Sequence, residues 1–390
     1  MKVTKNIPSL LAVACVAAAF ALCMAVHPSQ AAPAGAAARA SMRRGLDWLK
    51  SVQKENGAWS NESYPAMTAL PLWAFARSDH PDKAAVCAKA ADFVAGFAQE
   101  DGGIYKPATG GRGSGGLSTY NTAVSMIALH GYDRVKYADL ILEARKFMAE
   151  SQLVGDSAGA GGFGYNHTAP GGIRGLLMKL TGRSRADLSN TAWALHAMRV
   201  TQDEEDMRPG EQKVDVKWQA ALDYLEALQN SDKDDTAHYG GFGYERGGSR
   251  GGTHESEKDG TVRLNGYGSM TYAGLESMIY ADVDRTDPRV RSAVAWAARH
   301  WSVDENPGMG QKGLFYYFNI MSKALSLYGA DKLESPDGKS VPWKKELVEK
   351  LTAVQREDGS WVNEDNQFWE GDPVLVTSYA VLALEYAAGR

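Results

Sequence analysis

The sequence predicts an all-α protein, an (α/α)6 toroid in which about six outer helices alternate with about six inner ones. Three observations predict it. A polar, glycine-containing turn followed by an aromatic residue recurs along the chain. The segment before each turn is amphipathic at helical spacing, with a charged opposite face. The segment after each turn is apolar or small nearly all round, as befits a helix buried on both sides. Exposed and buried helices that alternate in this way close naturally into a double-layered ring.

In chain order, residues 1–31 read as a cleavable export signal. Lys2 and Lys5 precede an apolar run at 10–26, and Ser29 and Ala31 supply small residues where a signal peptidase cuts. The run is just long enough to serve instead as a membrane anchor; the small-residue exit favours cleavage. Residues 32–390 then form one repeat domain, exported to the periplasm or beyond. No other long apolar run follows, so this part is expected not to span a membrane.

The first turn is Gln53-Lys54-Glu55-Asn56-Gly57-Ala58-Trp59, and the last is Gln355-Arg356-Glu357-Asp358-Gly359-Ser360-Trp361. Between them stand turns ending in Tyr105, Tyr165 and Tyr244, the last two in the form Gly-Gly-Phe-Gly-Tyr. A degenerate sixth ends at Tyr316. Spacings of roughly 45 to 80 residues mark loops inserted into a shared unit. Outer helices are expected near Leu46, Leu49 and Val52, at 85–97, 137–151, 217–229 and 289–300, and near Leu347, Leu351 and Val354. Inner helices are expected at 67–76, 120–130, 190–200, 270–281, 317–328 and 375–387. Glycine in each turn supplies the positive φ that reverses the chain. The glutamine and aromatic residue can fasten one helix end to the next.

Several function classes are disfavoured. The net charge is -5 and no basic stripe suggests nucleic acid. Of three cysteines, Cys15 and Cys23 fall in the leader. Cys87 alone remains, in a small-residue helix face, and reads as packing rather than a nucleophile. The eight histidines show no His-Glu-x-x-His pattern and no close pair. Residues 282–287 begin like a calcium loop, but Asp287 stands where the turn needs glycine and Ala293 where it needs glutamate. The glycine run 110–116 lacks the lysine ending of a phosphate loop. No metal and no other cofactor is expected.

The turn at 355–361 and its relative at 53–59 resemble the Gln-Trp repeat of squalene and oxidosqualene cyclases. These belong to the terpenoid-cyclase and protein-prenyltransferase superfamily. The chain looks closest to bacterial prenyltransferase/squalene oxidase repeat proteins, with 267–275 and 304–310 typical of that group. The resemblance implies the toroid, with an apolar, isoprenoid-like small molecule or lipid as partner in a central cavity. Squalene–hopene-type cyclases protonate an alkene through Asp-x-Asp-Asp-Thr-Ala at the start of an inner helix. That string stands at 232–237, yet a glycine turn follows it, so an acidic loop is expected there. The matching context is 187–192, where Asp187 remains and Ser189 and Asn190 replace the other acids. Tyr120 and Asn121 open the same pattern in a neighbouring unit, and all these residue types also serve as helix caps. The superfamily's zinc set needs a Cys two residues after an Asp, which Cys87 lacks.

Asp187 and Glu276 are the candidate catalytic acids. Buried charge is costly unless paired. Glu276 and Lys323 on inner helices are therefore either a structural ion pair or a cavity acid with its neighbour. Asn190, His196 and Lys323 are further cavity candidates, as are Tyr120 and Asn121. Tyr272, Tyr316 and Tyr317 lie near inner-helix starts, where the cavity would open. Three functions fit: an enzyme on an isoprenoid-like substrate, a non-catalytic binding or scaffold ring, and a polysaccharide-active helical barrel. The second draws on adaptable glycine-rich insertions near Gly110 and Gly247. The third needs two carboxylates about 5–10 Å apart, for which Asp187 and Glu276 are the available pair.

Overall fold

The computed structural model describes residues 31–109, 115–155, 158–167, 186–256, 258–335, 338 and 340–389. The expected signal segment, Ala31 excepted, and most of the glycine run at 110–116 lie outside the described residues. In chain order the helices are α1 (Ala31–Ser51), α2 (Ala66–Arg77), α3 (Lys83–Ala95), α4 (Ser118–Asp133), α5 (Ala138–Ser151), α6 (Leu188–Val200), α7 (Gln202–Asp206), α8 (Trp218–Glu226), α9 (Gly268–Tyr280), α10 (Pro288–Arg299), α11 (Leu314–Tyr328), α12 (Trp343–Ala353) and α13 (Pro373–Ala387). Two short antiparallel hairpins, β1 (Thr253–Glu255) with β2 (Val262–Leu264) and β3 (Leu333–Glu334) with β4 (Ser340–Val341), decorate the ring. No described helix is long and apolar enough to cross a membrane.

The inner helices touch in the cyclic order α2, α4, α6, α9, α11, α13 and back to α2. Helix α1 packs on α12 and α13, so the two ends of the described chain close the ring. The inner helices are buried almost throughout; on α13, residues 374–387 are all buried. The outer helices bury one stripe, as Leu46 and Leu49 do on α1 and Leu347 and Leu351 on α12. Val52 and Val354 lie just past the ends of those helices and are exposed, because the chain has already turned.

The recurring turns work as fasteners. Gln53 donates from Nε2 to the carbonyls of Gly57 (3.1 Å) and of Val86 on α3 (3.1 Å). Gln355 does the same to Gly359 (2.9 Å) and to Ser41 on α1 (2.9 Å), bridging the chain ends. Gln152 and Gln229 repeat the pattern toward Lys217 and Arg289. The indoles of Trp59 and Trp361 donate back to Leu49 and Leu351. A second tie was hidden in the Asn-Thr-Ala pattern. The backbone N–H of Trp59, Ile104, Phe163, Phe242 and Trp361 donates to Thr68, Thr122, Thr191, Thr271 and Thr377 on the following inner helix. The threonine of the cyclase-like string 187–192 is therefore an anchor for its turn.

The turn glycines also meet the next outer helix. Gly240 has φ +92°, and a Cβ there would lie 2.1 Å from the Ser292 carbonyl oxygen on α10. Backbone cannot yield as a side-chain tip can. Gly240→Ala is expected to cost about 3 kcal/mol, from left-handed strain and overpacking together. Urea unfolding followed by circular dichroism checks this, and a cost below about 1 kcal/mol would show that the turn does not fasten the ring.

Candidate functional site

The six inner helices all start at the same end of the ring, and their first turns enclose a cavity of ≈ 390 Å³. Each start is capped by a side chain, often from a neighbouring unit. Asn121 accepts from Ala66 N (3.0 Å) for α2 and Asn166 from Ser118 N (3.3 Å) for α4. Asp187 caps α6 through Asn190 N (2.9 Å), Asn306 caps α9 through Ser269 N (2.9 Å), and Asp372 caps α13 through Val374 N (2.8 Å). Glu370 accepts from Phe315 N (3.2 Å) and Tyr316 N (2.7 Å) at the start of α11. Burial lifts its carboxyl to about 7, against the pull of Asn363 and these N–H groups. The positive ends of six helix dipoles thus face one space, each equivalent to roughly half a charge.

The wall is aromatic and sulfur-rich. Tyr120, Trp193, Tyr267, Tyr316 and Tyr379 form its body, with Met67, Met270 and Met309 between them. Arg250 and Lys312 are the charged residues among the described lining, and neither has a carboxylate partner among the described residues. Arg250 lies 4.2 Å from the centre of the Tyr244 ring and 5.0 Å from that of Phe368. Tyr165, Phe368 and Trp369 line the cavity yet are 40%, 44% and 46% exposed, which places them at its mouth. Leu117, Phe368 and Trp369 hold φ of 54°, 57° and 69°, a left-handed conformation that costs non-glycine residues about 1–3 kcal/mol each. Strain concentrated at a mouth is a mark of a site.

The sequence candidates divide. Tyr120, Asn121 and Tyr316 line the cavity. Asp187 and Asn190 are buried behind the wall: Asp187 accepts from Asn190 Nδ2 (2.7 Å) and from the hydroxyl of Tyr244, whose ring lines the cavity. Tyr272 and Tyr317 pack on each other at 5.8 Å, and Tyr317 donates to the Ser302 carbonyl; neither reaches the cavity. Glu276, Lys323 and His196 lie behind Trp193. Lys323 Nζ is 3.2 Å from Glu276 Oε2, 3.2 Å from His196 Nδ1, and 4.6 Å over the Trp193 ring. All three are buried. Of the two readings offered for Glu276 and Lys323, the geometry is that of an ion pair between inner helices α9 and α11. The acidic string at 232–237 is a loop held by basic residues: Asp232 to Arg263, Asp234 to Lys258, and Asp235 to His238 and His254. Cys87 is buried and its thiol is pushed up to about 12 by desolvation, a packing residue.

Sequence reasoning missed Tyr165, Tyr244, Arg250 and Glu370. A signal for the tyrosines existed. In Gly-Gly-Phe-Gly-Tyr the phenylalanine alone fills the fastener position, since Phe163 and Phe242 are fully buried. The extra Gly-Tyr carries the chain on to the cavity, which both tyrosines line.

No family model matches the sequence, and no curated protein does. Solved structures do match. The type II terpene cyclase MstE from Scytonema aligns with a TM-score of 0.52 at 12% identity, over 91% of this chain and 98% of that one. A variant of MstE in complex with its substrate, geranylgeranyl dihydroxybenzoate, aligns at 0.53 and 13% identity, over 91% and 99%. The GH76 alpha-mannanase BT2949 of Bacteroides thetaiotaomicron aligns at 0.51 and 11%, over 90% and 95%. The likeness is one of fold. The chain is an α/α toroid of the architecture that these enzymes share.

Asp187 offers a direct check on the site's electrostatics. Burial raises its carboxyl from 3.8 to about 6, with the hydrogen bonds from Asn190 and Tyr244 pulling the other way. A carboxyl whose folded pKa is raised contributes stability fully present below the unfolded pKa and lost as pH rises through the folded one. The loss spans about pH 4 to 6 and amounts to about 3 kcal/mol. Asp187→Asn removes that titration and can still cap α6, because Asn190 Oδ1, which has no partner, can turn to accept from the new amide. The difference in unfolding free energy, variant minus wild type, should therefore grow between pH 4 and 7. A flat difference would mean that Asp187 is not desolvated.

Proposed function

We propose that this toroid takes an amphiphile into its cavity, with an apolar, isoprenoid-like body against the aromatic and methionine wall and an anionic head toward Arg250 and Lys312. The observation that carries the reading is the wall itself: apolar surface with two unpaired cations at the positive ends of six helices. Both side chains are exposed at the mouth, and a cation there without a carboxylate partner favours an anionic group through a charge-assisted hydrogen bond. The substrate that MstE carries in its complex, a geranylgeranyl chain on a dihydroxybenzoate, has this general chemistry. Exposure of the expected export signal to the secretion machinery would put the ring outside the cytoplasm, in contact with envelope lipids.

A catalytic variant of this reading is favoured by one observation. Asp187 is protonated more readily than an ordinary carboxyl and reaches the cavity through the Tyr244 hydroxyl, so a proton could be delivered along that pair. The polysaccharide reading gains less support, because the described lining holds no pair of carboxylates. Native mass spectrometry of the purified chain is the test. A retained acidic lipid, lost in a Ser269→Trp variant that fills the cavity, is the expected result. Gentle release of no ligand from wild type, together with binding of mannan fragments, would replace this reading with the glycan one.

A further inference from the structure

We propose that Asp235, His238 and His254 form a site for a divalent transition metal of the zinc type, which ties the loop after α8 to the β1–β2 hairpin. The sequence contains no close histidine pair, and folding makes one. The two imidazoles stack with centroids 3.7 Å apart and planes 10° apart. Each turns one nitrogen to the same carboxylate: His238 Nδ1 to Asp235 Oδ1 at 2.9 Å, and His254 Nε2 to Asp235 Oδ2 at 2.6 Å. The three donor atoms lie within 4.8 Å of one another. Two imidazoles, one carboxylate and a position open to water make up a common three-ligand zinc set.

The remaining nitrogen of His254 decides the chemistry. Asn265 donates its Nδ2 to the Gly251 carbonyl (2.9 Å), so its Oδ1 faces His254 Nδ1 at 2.7 Å as an acceptor. His254 Nδ1 must therefore carry the proton. That contact turns Nε2 to the Asp235 carboxylate, where a divalent ion can take the place of the proton of an imidazolium. Metal-binding histidines are oriented in this manner, by a hydrogen bond on the nitrogen away from the metal. Zinc at about 2.0–2.1 Å from each donor needs them about 3.3 Å apart, an opening of under about 1 Å between partly exposed side chains.

The surroundings leave room for the ion. The neighbouring acids are already neutralised, Asp232 by Arg263 and Asp234 by Lys258, whereas no lysine or arginine among the described residues pairs with Asp235. A second group of this kind, His130 with Asp203 and Glu204, has its cation built in: the Arg134 guanidinium binds both acids. A cavity of ≈ 270 Å³, lined by Asp235, Asn230 and Glu245 among others, adjoins the proposed site and gives water access to it.

The test uses the full chain without a histidine tag, stripped with a chelator and titrated with Zn²⁺ by calorimetry and with Co²⁺ by absorption. One equivalent is expected to bind, with a tetrahedral cobalt band. Melting temperature should rise by about 3–4 °C at a hundredfold excess of Zn²⁺ over Kd. The double variant His238→Ala, His254→Ala should lose at least about 100-fold in affinity and the thermal shift. Should that variant fail to fold, His254→Gln, with native circular dichroism but no cobalt band, serves instead. Absence of binding by wild type, or unchanged stoichiometry and affinity in either folded variant, overturns the proposal.

Discussion

Lys323→Met is expected to destabilise the ring by about 3–5 kcal/mol, among the largest single-residue effects in the chain. The reason is what it leaves behind. Glu276 and Lys323 are at most 1% exposed, and the ammonium is the partner that holds the carboxylate on α9 to α11. Glu276 Oε1 has no hydrogen bond among the described residues. Removing the cation strands a charge in an apolar interior. The double variant Glu276→Leu, Lys323→Met should recover most of the loss, since a buried pair offers little over well-packed apolar side chains. The cost should also depend on pH. Desolvation already raises the Glu276 carboxyl to about 7 with the lysine present. Its contribution is present below the unfolded pKa and lost as pH rises through the folded one, so the variant's penalty should be smaller at pH 5 than at pH 8. Urea unfolding of single and double variants reads all of this. A single-variant cost under 1 kcal/mol would remove the pair from the account of the fold. The neutral state of His196 follows from the same geometry: burial and the adjacent ammonium hold its pKa well below the ordinary histidine value.

The second large effect concerns the mouth. Arg250→Gln with Lys312→Gln is expected to weaken binding of a long-chain isoprenoid acid by at least about 100-fold, since each charge-assisted contact is worth about 1.5 kcal/mol or more. Binding of the corresponding alcohol should change less than threefold, about 0.7 kcal/mol. Fluorescence titration distinguishes the two. Equal weakening for acid and alcohol would mean that the arginine shapes the mouth, through its contacts with Tyr244 and Phe368, rather than binding an anionic head.

Much of the architecture was legible in the sequence because it is written in local repeats. A glycine turn, its glutamine and its aromatic residue lie within about ten residues of one another, and helical periodicity needs no more. Ring closure was readable for the same reason, since the turn at 355–361 is a copy of the one at 53–59. The site was less legible because its parts come from distant units. Asn121 caps a helix that begins at Ala66, and Glu370 caps one that begins at Leu314. No local pattern announces either partner. Arg250 stands in a glycine-rich insertion that reads as surface loop, and only the fold carries it back over the cavity mouth. His196, Tyr272, Tyr317 and Lys323 were sensible cavity candidates from their place on inner helices. An inner helix, however, shows the cavity only its first two turns, and His196 and Lys323 lie further along; Tyr272 and Tyr317 turn toward each other instead.

The central claim is that the cavity binds an isoprenoid-like amphiphile. It is tested most directly by titrating the purified chain with geranylgeranyl dihydroxybenzoate and following the fluorescence of Trp193 and Trp369, both of which line the cavity. The account predicts saturable quenching at one equivalent, weakened at least about tenfold, or about 1.4 kcal/mol, when Ser269→Trp fills the space. Absence of saturable quenching, or the same affinity in the filled variant, would contradict it.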